Sequence, residues 1–235
     1  MSLRPYYEHA GITIYHGDCR EILPELFMQA DCIVTDPPYG IGYKPQRVRS
    51  IASTVGLHSP YASSQSFSAV AGDTTPFDPR PLLGFEKVAM WGANHYSSSL
   101  PDSGGWLVWD KKRGGTVARG FIASDVELAW SNFSNCARIF SYLWSGLCRD
   151  GEQNEHFHPT QKPVALMKWV IELAEPARAV IDPYMGSGTT LIAAKKMNQT
   201  AIGIDIEEKY CEIAAKRLSQ EVFNFAARGA EEGDR

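Results

Sequence analysis

The run Thr35-Asp36-Pro37-Pro38-Tyr39-Gly40 closes a short apolar stretch, Cys32 to Val34, with an acid, two prolines and an aromatic ring. Those residue types in that order make a rigid acceptor array. Asp36 supplies a carboxylate, and Pro37 adds a main-chain carbonyl while bringing no N–H of its own to compete for a donor. Each proline fixes φ, and Pro37 biases Asp36 toward extended backbone. The array therefore suits a ligand that presents N–H groups, and Tyr39 offers a ring on which a planar heterocycle can stack.

A second stretch, Ala179 to Met197, holds different chemistry. An apolar strand ends at Asp182, a turn carries Gly186 and Gly188, and a helix begins near Thr189. In that geometry the backbone comes close to a nucleotide-like ligand. The spacing is not G-x-G-x-x-G and the lysine of a phosphate-binding loop is missing, so a phosphate clamp is not the natural inference. A further apolar strand, Ala201 to Ile204, ends in Asp205, 23 residues beyond Asp182. An acid at that distance is where a dinucleotide fold holds ribose hydroxyls. S-adenosylmethionine, with a ribose, a methionine zwitterion and no phosphate, meets this description.

Bulk properties narrow the classes. The chain has 235 residues, 44% hydrophobic and 21% charged, which fits one globular domain over 1–235. It shows no apolar run of membrane-spanning length and no signal-peptide core near its N-terminus, so a cytoplasmic protein without membrane association is expected. Five scattered cysteines form no C-x-x-C pair, and His156-Phe157-His158 lacks cysteines or an H-E-x-x-H helix beside it, so no metal is expected. The net charge of −4 does not advertise a polyanion partner. Two basic clusters qualify that reading: Lys44, Arg47 and Arg49 directly after the first motif, and Lys111, Lys112 and Arg113 further on. A charge cluster is ordinarily a solvated face, and these gain weight only by flanking a site.

The elements that must position these residues are legible as strands in "GITIYHGD", "CIVTD", "KVAMWGAN", "GWLVWDK", "VELAWS", "ARIFSYLW", "AVIDP" and "AIGIDI". Helical patterns follow in "PVALMKWVIELAE", "GTTLIAAKKMN" and "EEKYCEIAAKRLSQEVFNF", the last with Ile206, Tyr210, Ile213, Ala214 and Leu218 on one face. Strands alternating with helices predict an α/β fold, a doubly wound and mostly parallel sheet. Residues 41–80 are rich in Ser, Pro, Gly and Thr, a long loop of the kind that carries function, and 226–235 read as a frayed tail.

With both motifs in view, the sequence resembles the DNA amino-methyltransferases, which methylate the exocyclic nitrogen of adenine or cytosine. "TDPPYG" matches the catalytic motif, "DPYMGSGTT" the cofactor loop, "GIDI" the ribose-binding strand end, "FHPTQKPVALM" the segment before the cofactor loop, and "HGDCREIL" the segment before the catalytic strand. The likeness spans roughly 10–222, and the motif order resembles the permuted β group. It implies the methyltransferase sheet with one reversed strand and a site at the carboxyl ends of the strands.

The resemblance also implies residue roles. Asp36, Pro37, Pro38 and Tyr39 would grip and stack the base, holding the amine N–H protons while its nitrogen attacks the sulfonium methyl. Asp18 and Cys19 would approach the cofactor's adenine, and Asp182, Pro183, Tyr184, Gly186, Ser187, Gly188 and Thr189 would hold its methionine end. Lys162 would meet the methionine carboxylate, Asp205 the ribose, and Ile206 would flank adenine. The partner would be DNA, with the target base flipped out and Lys44, Arg47, Arg49, Lys111, Lys112 and Arg113 on phosphates.

In this family Asp at the first motif position points to adenine N6, where Ser would favour cytosine N4 and Asn protein glutamine. RNA as the acceptor, and a catalytically silent cofactor- or DNA-binding module, are the rival readings. No sizeable target-recognition region lies before "HPTQKP", so the reader of a DNA site would be the 41–80 loop or a separate specificity subunit. A homodimer and a restriction partner are both compatible with the chain.

Overall fold

A computed structural model describes residues 3–43, 70–112, 124–145, 148–151, 157–158 and 160–219. The middle of the 41–80 loop, Arg113 and the C-terminal tail lie outside these residues. In chain order the strands are β1 (Tyr7–His9), β2 (Ile12–His16), β3 (Cys32–Thr35), β4 (Lys87–Trp91), β5 (Gly105–Asp110), β6 (Val126–Ser131), β7 (Arg138–Ser141), β8 (Trp144–Ser145), β9 (Cys148–Arg149), β10 (Val180–Asp182) and β11 (Ala201–Asp205). The helices are α1 (Cys19–Leu26), α2 (Val164–Ala174), α3 (Thr189–Lys196) and α4 (Glu208–Ser219).

Nine strands form one sheet in the order β1-β2-β11-β10-β3-β4-β6-β5-β7, and β8 pairs with β9 in a separate hairpin. The central strands β2, β11, β10, β3 and β4 are parallel. β6 runs against both of its neighbours, β4 and β5, and is the reversed strand inside the sheet. The three-residue edge strand β1 also runs antiparallel to β2.

Alternate side chains of the central strands feed two apolar cores, which is why these segments read as near-continuous hydrophobic runs. Val34, Ala89, Trp91 and Val180 pack with α2, α3 and α4 on one face. Ile33, Val88, Met90 and Ile181 pack with α1 and with Leu82, Phe85, Ala93 and Tyr96, from the segments on either side of β4, on the other. The result is the expected doubly wound, three-layer α/β arrangement.

Each of the eight apolar segments forms a strand and each of the three periodic segments a helix. The sequence reading missed α1, whose eight residues are too short for a clear period, and the small strands β1, β8 and β9. On α4 the buried residues are Tyr210, Cys211, Ala214, Arg217 and Leu218, while Ile206 precedes the helix and is 56% exposed. Among the described residues no helix is long and apolar enough to cross a membrane.

One topological fact positions the site. β10 and β11, from the second half of the chain, insert between β2 and β3, from the first half. The Asp36–Tyr39 motif after β3 and the glycine loop after β10 therefore leave adjacent parallel strands at the same edge. Thr35 at the end of β3 donates its hydroxyl to Asp182 Oδ1 at the end of β10, 2.7 Å away, across 147 residues of sequence.

Candidate active site

The carboxyl ends of the parallel strands open into a cleft of about 1180 Å³. A single small-molecule site takes roughly 300–1,000 Å³, so this cleft has room for two ligands side by side. Asp36 and Tyr39 line one part of it, and Asp18, Gly186 and Asp205 line another.

At Asp36 both carboxylate oxygens are engaged. Tyr39 donates its hydroxyl to Oδ1 at 2.5 Å, and the Lys162 ammonium, from the residue before the Pro163 cap of α2, donates to Oδ2 at 2.5 Å. Lys162 also pairs with Glu127 Oε2 at 3.1 Å, and Lys111 pairs with Glu127 Oε1 at 2.9 Å. Two lysines and two carboxylates thus alternate in one chain of contacts at the cleft wall. Because β6 is reversed, its first residues lie at the same edge as the ends of its neighbours, which brings Glu127 there.

The charges in this chain hold one another. Burial pushes the Asp36 carboxyl above the usual carboxylate range even with the Lys162 ammonium beside it. Burial alone would raise Glu127 too, but Lys162 and Lys111 bring it down to about 2. Lys162, which burial alone would neutralise, is kept charged by Asp36 and Glu127 and sits above the ordinary lysine value. Burial and the Asp36 charge raise the Tyr39 phenol well above its ordinary range, so it remains a donor.

The Tyr39 ring is itself held in place. It stacks on His95 with centroids 5.0 Å apart and planes at 15°. Gly92, just beyond β4, has φ +72°, and a Cβ there would land on the Tyr39 ring. The turn after Tyr39 is gathered by Asp73, 4% exposed, which accepts from the N–H groups of Gly40, Ile41 and Tyr43 at 2.8, 3.3 and 2.6 Å. Asp73 thereby ties residues 70–80 to the turn that follows the Asp36–Tyr39 motif.

The other half of the cleft is built on backbone. Gly188, φ +79°, begins α3, and a Cβ on it would sit 2.8 Å from that of Ala214 on α4. Asp205 accepts from Gly186 N at 2.9 Å and Glu207 N at 2.8 Å and still faces the cleft, and burial raises its carboxyl to about 6. Arg217 of α4 reaches the loop from behind and donates to the Ser187 carbonyl at 2.7 Å. His158 closes the far side, its ring against Tyr210 at 4.7 Å and next to Gly186.

The structure brings Asp36, Pro37, Pro38 and Tyr39 together with Asp18, Cys19, Pro183, Tyr184, Gly186, Asp205 and Ile206 around one cleft. It places other expected residues differently. Asp182 is turned inward, 2% exposed, with its oxygens taken by Thr35, Thr190 and the Tyr184 N–H, so it fastens the loop rather than meeting a ligand. Ser187 and Thr189 are likewise buried and shape the turn. Lys162 was expected at a methionine carboxylate, and its ammonium instead lies between Asp36 and Glu127.

Lys111 and Lys112 were expected on phosphates. Their side chains are only 15% and 12% exposed and are paired with Glu127 and Asp125. Lys44, Arg47, Arg49 and Arg113 lie outside the described residues. Sequence reasoning missed Glu127, Asp73, Gly92 and His95. Only Gly92 carried a signal, as a lone glycine directly after an apolar strand. Among the described residues no group of three His, Cys, Asp or Glu side chains is placed to hold a metal ion.

Comparison with known proteins bears on this geometry. The family model for DNA methylases of the N6/N4 type matches residues 105–216. The chain is 43% identical to the type II methyltransferase M2.DpnII of Streptococcus pneumoniae, over 94% of each chain. It is 39% identical to the type II methyltransferase M2.LlaDCHI of Lactococcus lactis subsp. cremoris, again over 94% of each. Among solved structures, the PvuII DNA methyltransferase (cytosine-N4-specific) superposes with a TM-score of 0.57 at 16% identity, over 93% of this chain and 90% of that one. The M1.HpyAVI–SAM complex gives 0.51 at 23% identity, over 89% and 100%. The solved structures share the fold, that of the S-adenosylmethionine-dependent methyltransferases, and the two near-full-length relatives carry the assignment further: the chain belongs to the DNA amino-methyltransferase family.

Proposed function

We propose that the protein transfers the methyl group of S-adenosylmethionine to the exocyclic N6 of adenine in DNA, with the base turned out of its stack into the cleft. The observation that carries this reading is the position of Asp36: a carboxylate directly after β3, its side chain only 14% exposed, in the same cleft as the glycine loop and Asp205. The residues present fit the cofactor. Asp205 has its backbone donors satisfied and faces the cleft for ribose hydroxyls, and the backbone at Gly186 is open to close approach. The cofactor supplies an electrophilic methyl on a sulfonium.

The chain's own groups act on the amine. Its lone pair is delocalised into the ring, and acceptors on its two N–H bonds, the Asp36 carboxylate and the Pro37 carbonyl, favour the pyramidal form that can attack. Transfer is direct, so no side chain becomes covalently modified. The proton shed by the methylated nitrogen has Asp36 as its nearest acceptor, which burial makes more basic than an ordinary aspartate. A base inside a duplex is out of reach of this buried group, which makes extrusion or a single strand a requirement. Lys44, Arg47 and Arg49 follow Tyr43, a residue of the cleft wall, and are the proposed phosphate contacts.

The test is incubation of the protein with methyl-labelled cofactor and DNA, followed by digestion to nucleosides. Labelled N6-methyladenine supports the proposal. N4-methylcytosine alone would move the reaction to cytosine, and label in RNA or protein with none in DNA would overturn the substrate.

A further inference from the structure

The Lys162 ammonium rests on Asp36, the carboxylate proposed above to receive the amine. Oδ2 of Asp36 accepts from Nζ at 2.5 Å, and Nζ is also 3.2 Å from the Tyr39 hydroxyl and 5.8 Å from the centroid of its ring, the surface offered to a base. An ammonium held on Asp36 opposes the reaction in two ways. It occupies a lone pair the amine N–H needs, and its charge disfavours the positive charge that develops on the attacked nitrogen. The same ammonium already has a second partner, Glu127 Oε2 at 3.1 Å. The other oxygen of Glu127 is anchored by Lys111 at 2.9 Å, so Glu127 stays fixed on β6 while Lys162 changes hands.

We propose that Lys162 is an exchangeable plug of the amine site: without a base its ammonium rests on Asp36, and an entering amine displaces it onto Glu127, which holds it aside during transfer. This rests on the reading of Asp36 as the amine acceptor. The exchange needs only a turn of the lysine side chain and leaves the summed charge of the two lysines and two carboxylates unchanged. It also adjusts Asp36. With Lys162 alongside, the carboxylate is neutralised and a weak acceptor. With Lys162 on Glu127 its Oδ2 is free to accept an amine N–H, while the Tyr39 hydroxyl still donates to Oδ1. Lys162 and Glu127 are thus positioning residues acting through Asp36.

The experiment compares wild type, Glu127→Gln, Lys162→Met and the double variant in three readouts: equilibrium affinity for S-adenosylhomocysteine, equilibrium affinity for an adenine-containing oligonucleotide with S-adenosylhomocysteine bound, and methyl transfer across pH. Glu127→Gln removes the resting place, so Lys162 stays on Asp36. The expected result is unchanged affinity for S-adenosylhomocysteine, oligonucleotide binding weaker by about tenfold, within the coupling found for contacting pairs, and transfer that recovers toward alkaline pH as Lys162 loses its proton. In the double variant the plug itself is gone, and oligonucleotide affinity returns to at least the wild-type level. Lys162→Met alone shows an acid limb of transfer moved to higher pH, because Asp36 has lost its cation.

A double variant that binds the oligonucleotide no better than Glu127→Gln, or a Glu127→Gln protein with wild-type binding and pH profile, overturns the proposal. The binding readout needs no turnover. Failure of the wild type to label N6-methyladenine would therefore count against the proposed function, and the binding comparison would still decide the plug.

Discussion

At the residue scale the site divides into groups whose type announces their chemistry and groups whose role depends on what folds against them. Asp36 and Asp205 were legible because each ends an apolar strand beside prolines or glycines, a local pattern with a physical reason. Glu127 was not, because nothing in "VELAWS" distinguishes a strand-face acid from one delivered to a cleft until β6 is known to run backwards. Lys162 reads from the sequence as a cofactor contact, and nothing in the sequence points to its partner Asp36, 126 residues away. Two predictions belong here. Gly92→Ala drives a Cβ into the Tyr39 ring, so methyl transfer should fall by about tenfold or more while cofactor affinity holds, the loss expected when a group near the chemistry is misplaced. Steady-state kinetics alongside cofactor titration checks both. Asp205 is raised to about 6 by burial, and on the proposed ribose contact the hydroxyls donate to its ionised form, so cofactor binding favours deprotonation. Affinity should be full above that pH and weaken as pH falls through it, and Asp205→Asn should bind more weakly with a flat profile over the same window. Calorimetric titration across that range tells the two apart.

At the element scale the strands and the long helices were readable because each repeats its signal: alternate residues of the central strands feed opposite cores, and α2 buries Val164, Leu166, Met167, Val170 and Ile171 along one side. The short α1 was missed, although its Asp18 cap accepts from Arg20 N at 2.9 Å and places Asp18 at the cleft. The 41–80 loop, set apart by composition alone, turns out to have a fixed return point in Asp73. Asp73→Ala strands three backbone N–H groups and should destabilise that turn by about 1–3 kcal/mol. Its expected signature is a weakened oligonucleotide affinity with cofactor affinity retained, because Ile41 and Tyr43 line the cleft on the side of Asp36, the proposed base site, while the glycine loop follows β10. Equal losses of both affinities would mean that Asp73 supports the whole cleft instead.

At the scale of the whole molecule, the decisive feature is the insertion of β10 and β11 between β2 and β3, which makes neighbours of two motifs that are far apart in sequence. The doubly wound class followed from the alternation of strands and helices, but strand order did not, since sequence pattern fixes what each segment is and not which segment lies beside it. The cleft that results, about 1180 Å³, puts the Asp36 and Asp205 carboxylates within one enclosure, an arrangement that suits the proposed methyl transfer between two bound molecules. The central claim is that Asp36 receives the N6 amine of adenine there. The most direct measurement is nucleoside analysis of DNA after reaction with methyl-labelled cofactor, run in parallel on wild type and Asp36→Asn. The expected result is labelled N6-methyladenine from the wild type and, for Asp36→Asn, a rate lower by about 10²–10³ at unchanged cofactor affinity, the usual cost of removing one preorganised charge-stabilising partner. Wild-type rates from Asp36→Asn, or label in N4-methylcytosine and none in adenine, would contradict it.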